Sequence, residues 1–159
     1  DPTSQPAGAL PDESSRTLAS KLSPSMLADA WSHRGELALQ VSDPLEAEMC
    51  FLNVVRLEPR TAAAWCNVGI ARAEQVRRSD ALTALRIALQ LDPNLVPALN
   101  QAAYLQAANF RDLGHAEYGQ AVVEYCRRSL QINPNQPNVA ELLRAARWFD
   151  RDEQTANEP

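Results

Sequence analysis

Apolar and small residues recur at helical spacing along most of this chain. The clearest stretch runs from Trp65 to Pro93, WCNVGIARAEQVRRSDALTALRIALQLDP. Trp65, Val68, Gly69 and Ala73 give one stripe, and Ala81, Leu85, Ala88 and Leu89 give the next, with polar residues 75–80 between them. Two stripes, a short polar break and a proline stop predict two antiparallel helices joined by a turn. Gly69 and Ala81 are the small residues that let two backbones approach closely.

Start signals divide the rest of the chain in the same way. Ser23-Pro24 pairs an N-cap serine with a proline at the first helical position, ahead of Leu27, Ala30, Trp31, Ala38 and Val41 on one side. Arg34 interrupts the apolar pattern there. Asp43-Pro44-Leu45-Glu46 reads as a capping box that opens a helix with Ala47, Phe51, Val54 and Val55 inward, ended by Pro59. Thr61 is expected to cap the helix holding Trp65, and Ser79 its partner, each cap contributing about 1 kcal/mol.

The units repeat at a fixed step. Trp31 to Trp65, Gly35 to Gly69, Ala47 to Ala81 and Pro59 to Pro93 are each 34 residues apart. The third unit is longer, since Pro93 to Pro134 is 41 residues. The seven extra residues are about two helical turns, one on each of two antiparallel helices, which keeps their facing stripes in register. Helices are therefore expected near 96–110 and 114–132, with residues 111–114 in the turn. Leu99, Ala102, Ala103, Val122, Cys126 and Ser129 take the packing positions. A last helix over 138–149 carries Val139, Leu142, Leu143, Ala146 and Phe149 on one stripe, with Glu141, Arg144, Arg147 and Asp150 largely off it. One apolar and one charged face suit a solvating end cap.

The pattern W-x2-V-G…A-x3-L-x2-A…P resembles the tetratricopeptide repeat, with Arg72 in place of the usual tyrosine and Leu85 in place of the usual aromatic residue. The resemblance implies an all-α, right-handed α-solenoid of about three helix pairs, the third extended, closed by a C-terminal capping helix. The expected organisation is a tether over 1–22, a repeat domain over 23–150 and a polar tail over 151–159. The repeats would fall at about 28–61, 62–95 and 96–136.

Composition narrows the class of function. Net charge is −5, which disfavours a phosphate-backbone partner, so no nucleic acid is expected. No apolar run approaches the length of a membrane span. Fourteen of the fifteen basic residues are arginine, Lys21 being the exception. Cys50, Cys66 and Cys126 cannot all pair, and none forms a C-x2-C, so they read as small buried hydrophobes. Reduced thiols fit the cytoplasm and leave a processed, exported chain equally open. The chain begins Asp1-Pro2, as a processed protein or a portion of a longer one would. Residues 1–22, with Pro2, Pro6, Pro11 and many hydroxyls, read as a tether. Leu18 and Leu22 can add a helical turn that docks on the domain. Residues 1–15 are expected to run extended across a partner in a larger assembly.

Catalytic chemistry is missing from the pattern. There is no Gly-rich phosphate loop, no H-E-x-x-H and no G-x-S-x-G, and the two histidines, His33 and His115, cannot form a histidine cluster for a metal. No cofactor is expected. Arg77-Arg78 and Arg127-Arg128 read as a solvated turn and a solvated helix face, and Glu46 and Glu48 as acids at a helix start, where the dipole favours them.

The repeat resemblance does imply a place for binding, a concave groove lined by the first helix of each pair. Matched position by position, the groove candidates are Asp29, Ser32, His33 and Glu36, then Ala63, Cys66, Asn67 and Ile70, then Pro97, Asn100, Gln101 and Tyr104. The family's clamp for acidic C-terminal tails uses cations where this chain has Ser32, Pro97 and Gln101, and only Asn67 falls on a clamp position. Asp29 and Glu36 would repel such a tail, which argues against a chaperone tail as partner. The groove suits an apolar or basic extended peptide, or a helix. The function expected is a non-enzymatic scaffold or adaptor in a larger complex. The alternative is a repeat module of a larger protein, such as an enzyme whose catalytic part lies elsewhere.

Overall fold

A computed structural model describes residues 23–147. Within them lie seven helices: α1 (Pro24–Gln40), α2 (Pro44–Leu57), α3 (Ala62–Glu74), α4 (Arg78–Leu91), α5 (Val96–Leu113), α6 (Ala116–Ile132) and α7 (Pro137–Ala146), with no strand among the described residues. Each helix packs on the next in the chain, and α3 also touches α5, so the pairs α1/α2, α3/α4 and α5/α6 stack in order. The fold is an all-α solenoid with α7 laid on its last pair.

Close approach within each pair follows from the repeated small residue. At Gly35 an added Cβ would lie 2.7 Å from Phe51 Cε1, and at Gly69 one would lie 2.8 Å from Leu85 Cγ and 3.2 Å from the Ala81 carbonyl oxygen. Phe51 and Leu85 are fully buried as a result. In the third pair the same positions hold Ala103 and Cys126, both buried in one cluster with Val122 and Val123. A large residue on one helix meets a small one on the other at Gly35 and Gly69, so the two can pack closely.

Helix starts agree with the sequence in part. Ser23 Oγ accepts from Met26 N at 3.2 Å, and Asp43 Oδ1 from Glu46 N at 3.1 Å. Only half of the expected capping box forms there. The Asp43 amide donates to the Ala38 carbonyl at 2.8 Å, and the Glu46 carboxylate pairs with Arg34 at 2.5 Å. Thr61 sits at the N-cap of α3 but does not cap it, because its hydroxyl donates to Glu58 Oε2 at 3.1 Å. Ser79 lies inside α4 and is no cap. The turn closes earlier than expected, with Val76 at φ 62 and Arg77 at the N-cap, so the helix begins at Arg78. Ser42, 34 residues before Val76, has the same left-handed backbone at φ 59, so the tight turn repeats with the unit.

The third pair corrects the expected boundaries. Helix α5 continues through Arg111, Asp112 and Leu113 and stops at Gly114, whose φ of 73 only glycine takes without strain. Asp112 is held on the helix by Arg78 at 2.5 Å and by Arg111 at 3.2 Å, so polarity alone does not break it. The insertion is uneven: α5 has 18 residues against 13 in α3, and α6 has 17 against 14 in α4. Helix α7 covers Pro137–Ala146, shorter than 138–149, and buries Val139, Leu143 and Ala146. Phe149, the tether, Leu18 and Leu22 lie outside the described residues.

Gly69→Leu should lower the melting temperature sharply, because overpacking a tight core costs about 1–3 kcal/mol or more. Calorimetry on that variant beside Gly114→Ala gives the comparison. The latter meets no atom within 4 Å and should lose only the cost of a left-handed alanine, about 1–2 kcal/mol. An unchanged melting temperature for Gly69→Leu would mean that α3 and α4 do not meet there.

Candidate functional site

Of the three first helices, α3 and α5 touch, with Cys66, Ala98 and Ala102 in one cluster, while α1 joins α3 through a cluster in which Ala28, Trp31 and Ala64 gather around Val54 and Val55 of α2. Asp29 and Glu36 on α1 are exposed, with Ser32 half-buried between them. Asn67 and Ile70 on α3 are half-buried, and Ile70 rests on the cluster that contains Leu85, Ala98 and Leu105. Tyr104 on α5 is 42% exposed. Among the described residues, none of Asp29, Ser32, Glu36, Asn67 and Tyr104 makes a side-chain hydrogen bond or ion pair.

Two groove candidates are occupied inside the protein. Cys66 is 2% exposed and packs between α3 and α5, so its thiol meets no partner. Burial pushes that thiol up to about 11. Asn100 accepts from the Ser129 hydroxyl at 2.5 Å and donates to Gln136 Oε1 at 2.6 Å, while Gln136 Nε2 donates to Ser129 Oγ at 2.9 Å. Ser129 is fully buried at the position held by Ala88 one repeat earlier, so its hydroxyl needs partners, and Asn100 and Gln136 supply them. The amide is thereby spent on joining α5, α6 and the entry to α7.

A polar cluster that the residue pattern did not reveal joins the first two pairs. Glu48 on α2 is only 8% exposed. Its Oε1 accepts from Arg72 Nε at 2.7 Å, and its Oε2 from Gln75 Nε2 and Arg77 Nη1, both at 2.8 Å. Arg77 also reaches Asp80 Oδ2 through Nη2 at 2.7 Å, and Gln75 Nε2 lies 3.2 Å from the Pro44 carbonyl. Burial alone would raise the Glu48 pKa, but hydrogen bonds from Arg72 and Gln75 and the charges of Arg72 and Arg77 outweigh it and hold it below the ordinary range. With both oxygens saturated, the carboxylate is a joint between helices and offers nothing to a substrate. The clue in the sequence was Arg72, a cation where the repeat expects a ring, and its partner lies 24 residues away.

The other candidate features are also internally matched. Arg77 and Arg78 border a polar recess with Val76, Ser79, Asp80 and Asn109, but their charges are taken up by Glu48, Asp80 and Asp112. Arg128 donates to the Pro93 carbonyl at 2.7 Å and lies 3.7 Å from Glu124. An apolar cleft of about 250 Å³ opens between α5, α6 and α7, lined by Ala107, Phe110, Gly119, Val122, Leu142, Ala145 and Ala146. Among the described residues no group of His, Cys, Asp or Glu is placed to hold a metal, and no helix is long and apolar enough to cross a membrane.

These helices have the tetratricopeptide-repeat fold. Solved structures with the same arrangement include the TPR domain of Arabidopsis OM64, with a TM-score of 0.70 at 15% identity, over 79% of this chain and 98% of that one. The TPR2B domain of yeast Sti1, solved in complex with pHsp70, aligns with a TM-score of 0.64 at 21% identity, over 76% and 96%. A Thermobaculum terrenum O-GlcNAc transferase mutant aligns with a TM-score of 0.68 at 18% identity, over 80% of this chain and 23% of the transferase. No protein family's sequence profile matches the chain, and no curated protein matches it in sequence.

Two measurements test the chemistry of these groups. Because the folded pKa of Glu48 is lowered, its contribution to stability is fully present above the ordinary carboxylate value and is lost as the pH falls through the lower folded value. Glu48→Gln should therefore be less stable than the parent at pH 7, by about 1–3 kcal/mol, with the gap closing in acid. Urea unfolding at several pH values reads it, and a pH-independent gap would show that charge is not what Glu48 contributes. Cys66 and Cys126, both raised to about 11, and Cys50, raised by burial and by Glu46, are protonated at neutral pH. A thiol reagent at pH 8 should label none of the three until the chain is unfolded, as mass spectrometry would show.

Proposed function

We propose that this chain is a non-enzymatic protein-interaction module that holds an extended peptide, or a helix, along α1, α3 and α5, as an adaptor or subunit of a larger assembly. The observation that carries this reading is the set of unspent side chains on that face. Asp29 and Glu36 are exposed acids with no internal cation, and Tyr104 and Ile70 offer accessible apolar area beside them. The charged clusters around Glu48 and Asp112, by contrast, are neutralised internally.

The chemistry of the face selects the partner. Acids toward α1 and an aromatic ring on α5 suit a segment with basic residues at one end and apolar ones at the other. The pHsp70 bound by yeast Sti1 is a chaperone ligand. The face here has Ser32, Pro97 and Gln101 where a clamp for an acidic tail would need cations, so the partner proposed is basic and not a chaperone tail. The transferase alignment supports a second reading, in which such helices form one portion of a larger enzyme and serve it as a docking module.

Fluorescence polarisation with labelled peptides tests the proposal. A basic–apolar peptide should bind, and an acidic-tail peptide should not. Asp29→Lys with Glu36→Lys should weaken the basic peptide by tenfold or more and improve the acidic one, since like-charge contacts cost several kcal/mol. Tyr104→Ala should weaken the first peptide without inverting the preference. Tighter binding of the acidic tail by the unmodified chain would overturn this reading.

A further inference from the structure

The repeat leaves one inter-pair surface open among the described residues. In the second and third pairs the first helix turns one side back toward the pair before it. On α3 that side is Ala64, Val68 and Ala71, all buried, in clusters with Val54, Phe51 and Ala47 of α2. On α5 it is Ala98, Ala102 and Leu105, buried with Ala81, Leu85 and Ala88 of α4. Thirty-four residues before the α3 set stand Ala30, Arg34 and Leu37 of α1, and all three are exposed. At the far end of the stack the corresponding place is taken, because α7 packs on α6 and buries Val139, Leu143 and Ala146. A second copy that continued the stack head to tail would find that place filled. The open surface it can offer is the same one, related by a two-fold axis.

The spacing along α1 fits such a pairing. Met26, Ala30, His33, Leu37 and Gln40 follow at steps of four, three, four and three, the seam of a two-stranded coil. All five are exposed, Met26 by 54% and Leu37 by 46%. The residues that such a coil turns away from its seam, Ala28 and Gly35, are buried against this chain's own helices. The two edges of the seam differ in charge. Asp29 and Glu36 take the g positions on one edge, and Arg34 and Val41 the e positions on the other. In a parallel pair each g residue lies against the next e residue of the other helix, which sets Asp29 beside the partner's Arg34. An antiparallel pair would set acid against acid and arginine against arginine. Asp29 has no ion-pair partner among the described residues. Arg34 holds Glu46 at 2.5 Å through one guanidinium nitrogen, and with its side chain 62% exposed it keeps donors for a second carboxylate.

We propose that a second copy of this chain covers this surface, the two α1 helices packing in parallel along that seam with Asp29 paired to the partner's Arg34. The seam is short and holds His33 and Gln40, so the dimer is weak, in the micromolar range. Polar residues at a seam cost affinity and fix its register. No folding accompanies the contact, since each α1 is already held by its own pair, and that limits the entropy lost. The inference goes beyond the peptide-binding reading. Asp29 stands where the two faces meet, but Arg34 and Leu37 belong to the dimer alone, while Glu36, Ile70 and Tyr104 stay open to a peptide. A dimer of this kind carries two peptide faces, so it would hold a partner with two such segments more tightly than either face does singly.

Analytical ultracentrifugation of the full chain, from micromolar to near-millimolar concentration, tests the proposal. The unmodified chain should pass from monomer to dimer across that range. Leu37→Asp should raise the dissociation constant tenfold or more while the circular-dichroism spectrum stays helical. Because Leu37 is not a groove position, its substitution should leave peptide binding unchanged. Asp29→Arg and Arg34→Glu should each weaken the dimer, since each sets like charges at the edge of the seam. An equimolar mixture of those two variants should restore it as a heterodimer, in which both edge pairs are again of opposite sign. A chain that stays monomeric throughout, or a dimer indifferent to Leu37→Asp, would overturn the proposal. A dimer that Asp29→Arg strengthens would also overturn it, since that result belongs to antiparallel helices.

Discussion

The stack depends on how closely two helices can stand within one pair. At residues 35 and 69 the first helix presents a glycine, and the second presses Phe51 and Leu85 in turn into that place, while in the third pair Ala103 and Cys126 share one buried cluster. Space left by the first helix is taken by the second, and this sets how closely the two can stand. The inter-pair clusters depend on that spacing. Val68 and Ala71 share a cluster with Phe51 and Ala47, and Ala98 and Ala102 share one with Leu85 and Ala88. The apolar contacts are individually weak and sum to a core because no gap interrupts them.

Polar side chains then fasten particular joints. Glu48 draws together Arg72, Gln75 and Arg77 at the boundary of the first and second pairs. Asn100, Ser129 and Gln136 do so where α7 leaves the third pair. In both clusters the buried groups are satisfied, and no buried side-chain nitrogen or oxygen among the described residues lacks a partner. The face formed by α1, α3 and α5 differs from both, since Asp29, Glu36 and Tyr104 are left without partners there.

Much of the fold was legible in the sequence because it is periodic. Trp31 and Trp65, Gly35 and Gly69, and Ala47 and Ala81 mark the unit, and the apolar stripes place α1 to α4 within a few residues. Local polarity misled where tertiary contacts decide. Arg111 and Asp112 resembled a turn, yet Arg78 across the stack holds Asp112 on the helix and Gly114 ends it. Ser79 resembled a cap, yet the turn through Val76 starts α4 earlier. The groove positions were only half legible. The repeat resemblance put Cys66 and Asn100 among the groove candidates, but whether a side chain faces outward or is spent inside depends on Ala98 and Ser129, far away in sequence. Glu48 was hidden for the same reason, because its donors come from another helix pair.

The turn at Val76 has a consequence of a different kind. A β-branched residue at φ 62, 75% exposed, is held in a backbone shape that costs it free energy, while the neighbouring turn uses Gly114 for the same shape. Nothing packs on Val76 to repay that cost, so the reversal is imposed by the helices on either side and by Arg77 reaching Glu48 and Asp80. The chain there works like a bent spring clipped at both ends. The clips, rather than the turn's own sequence, set the direction in which α4 leaves, and with it the aim of everything stacked beyond.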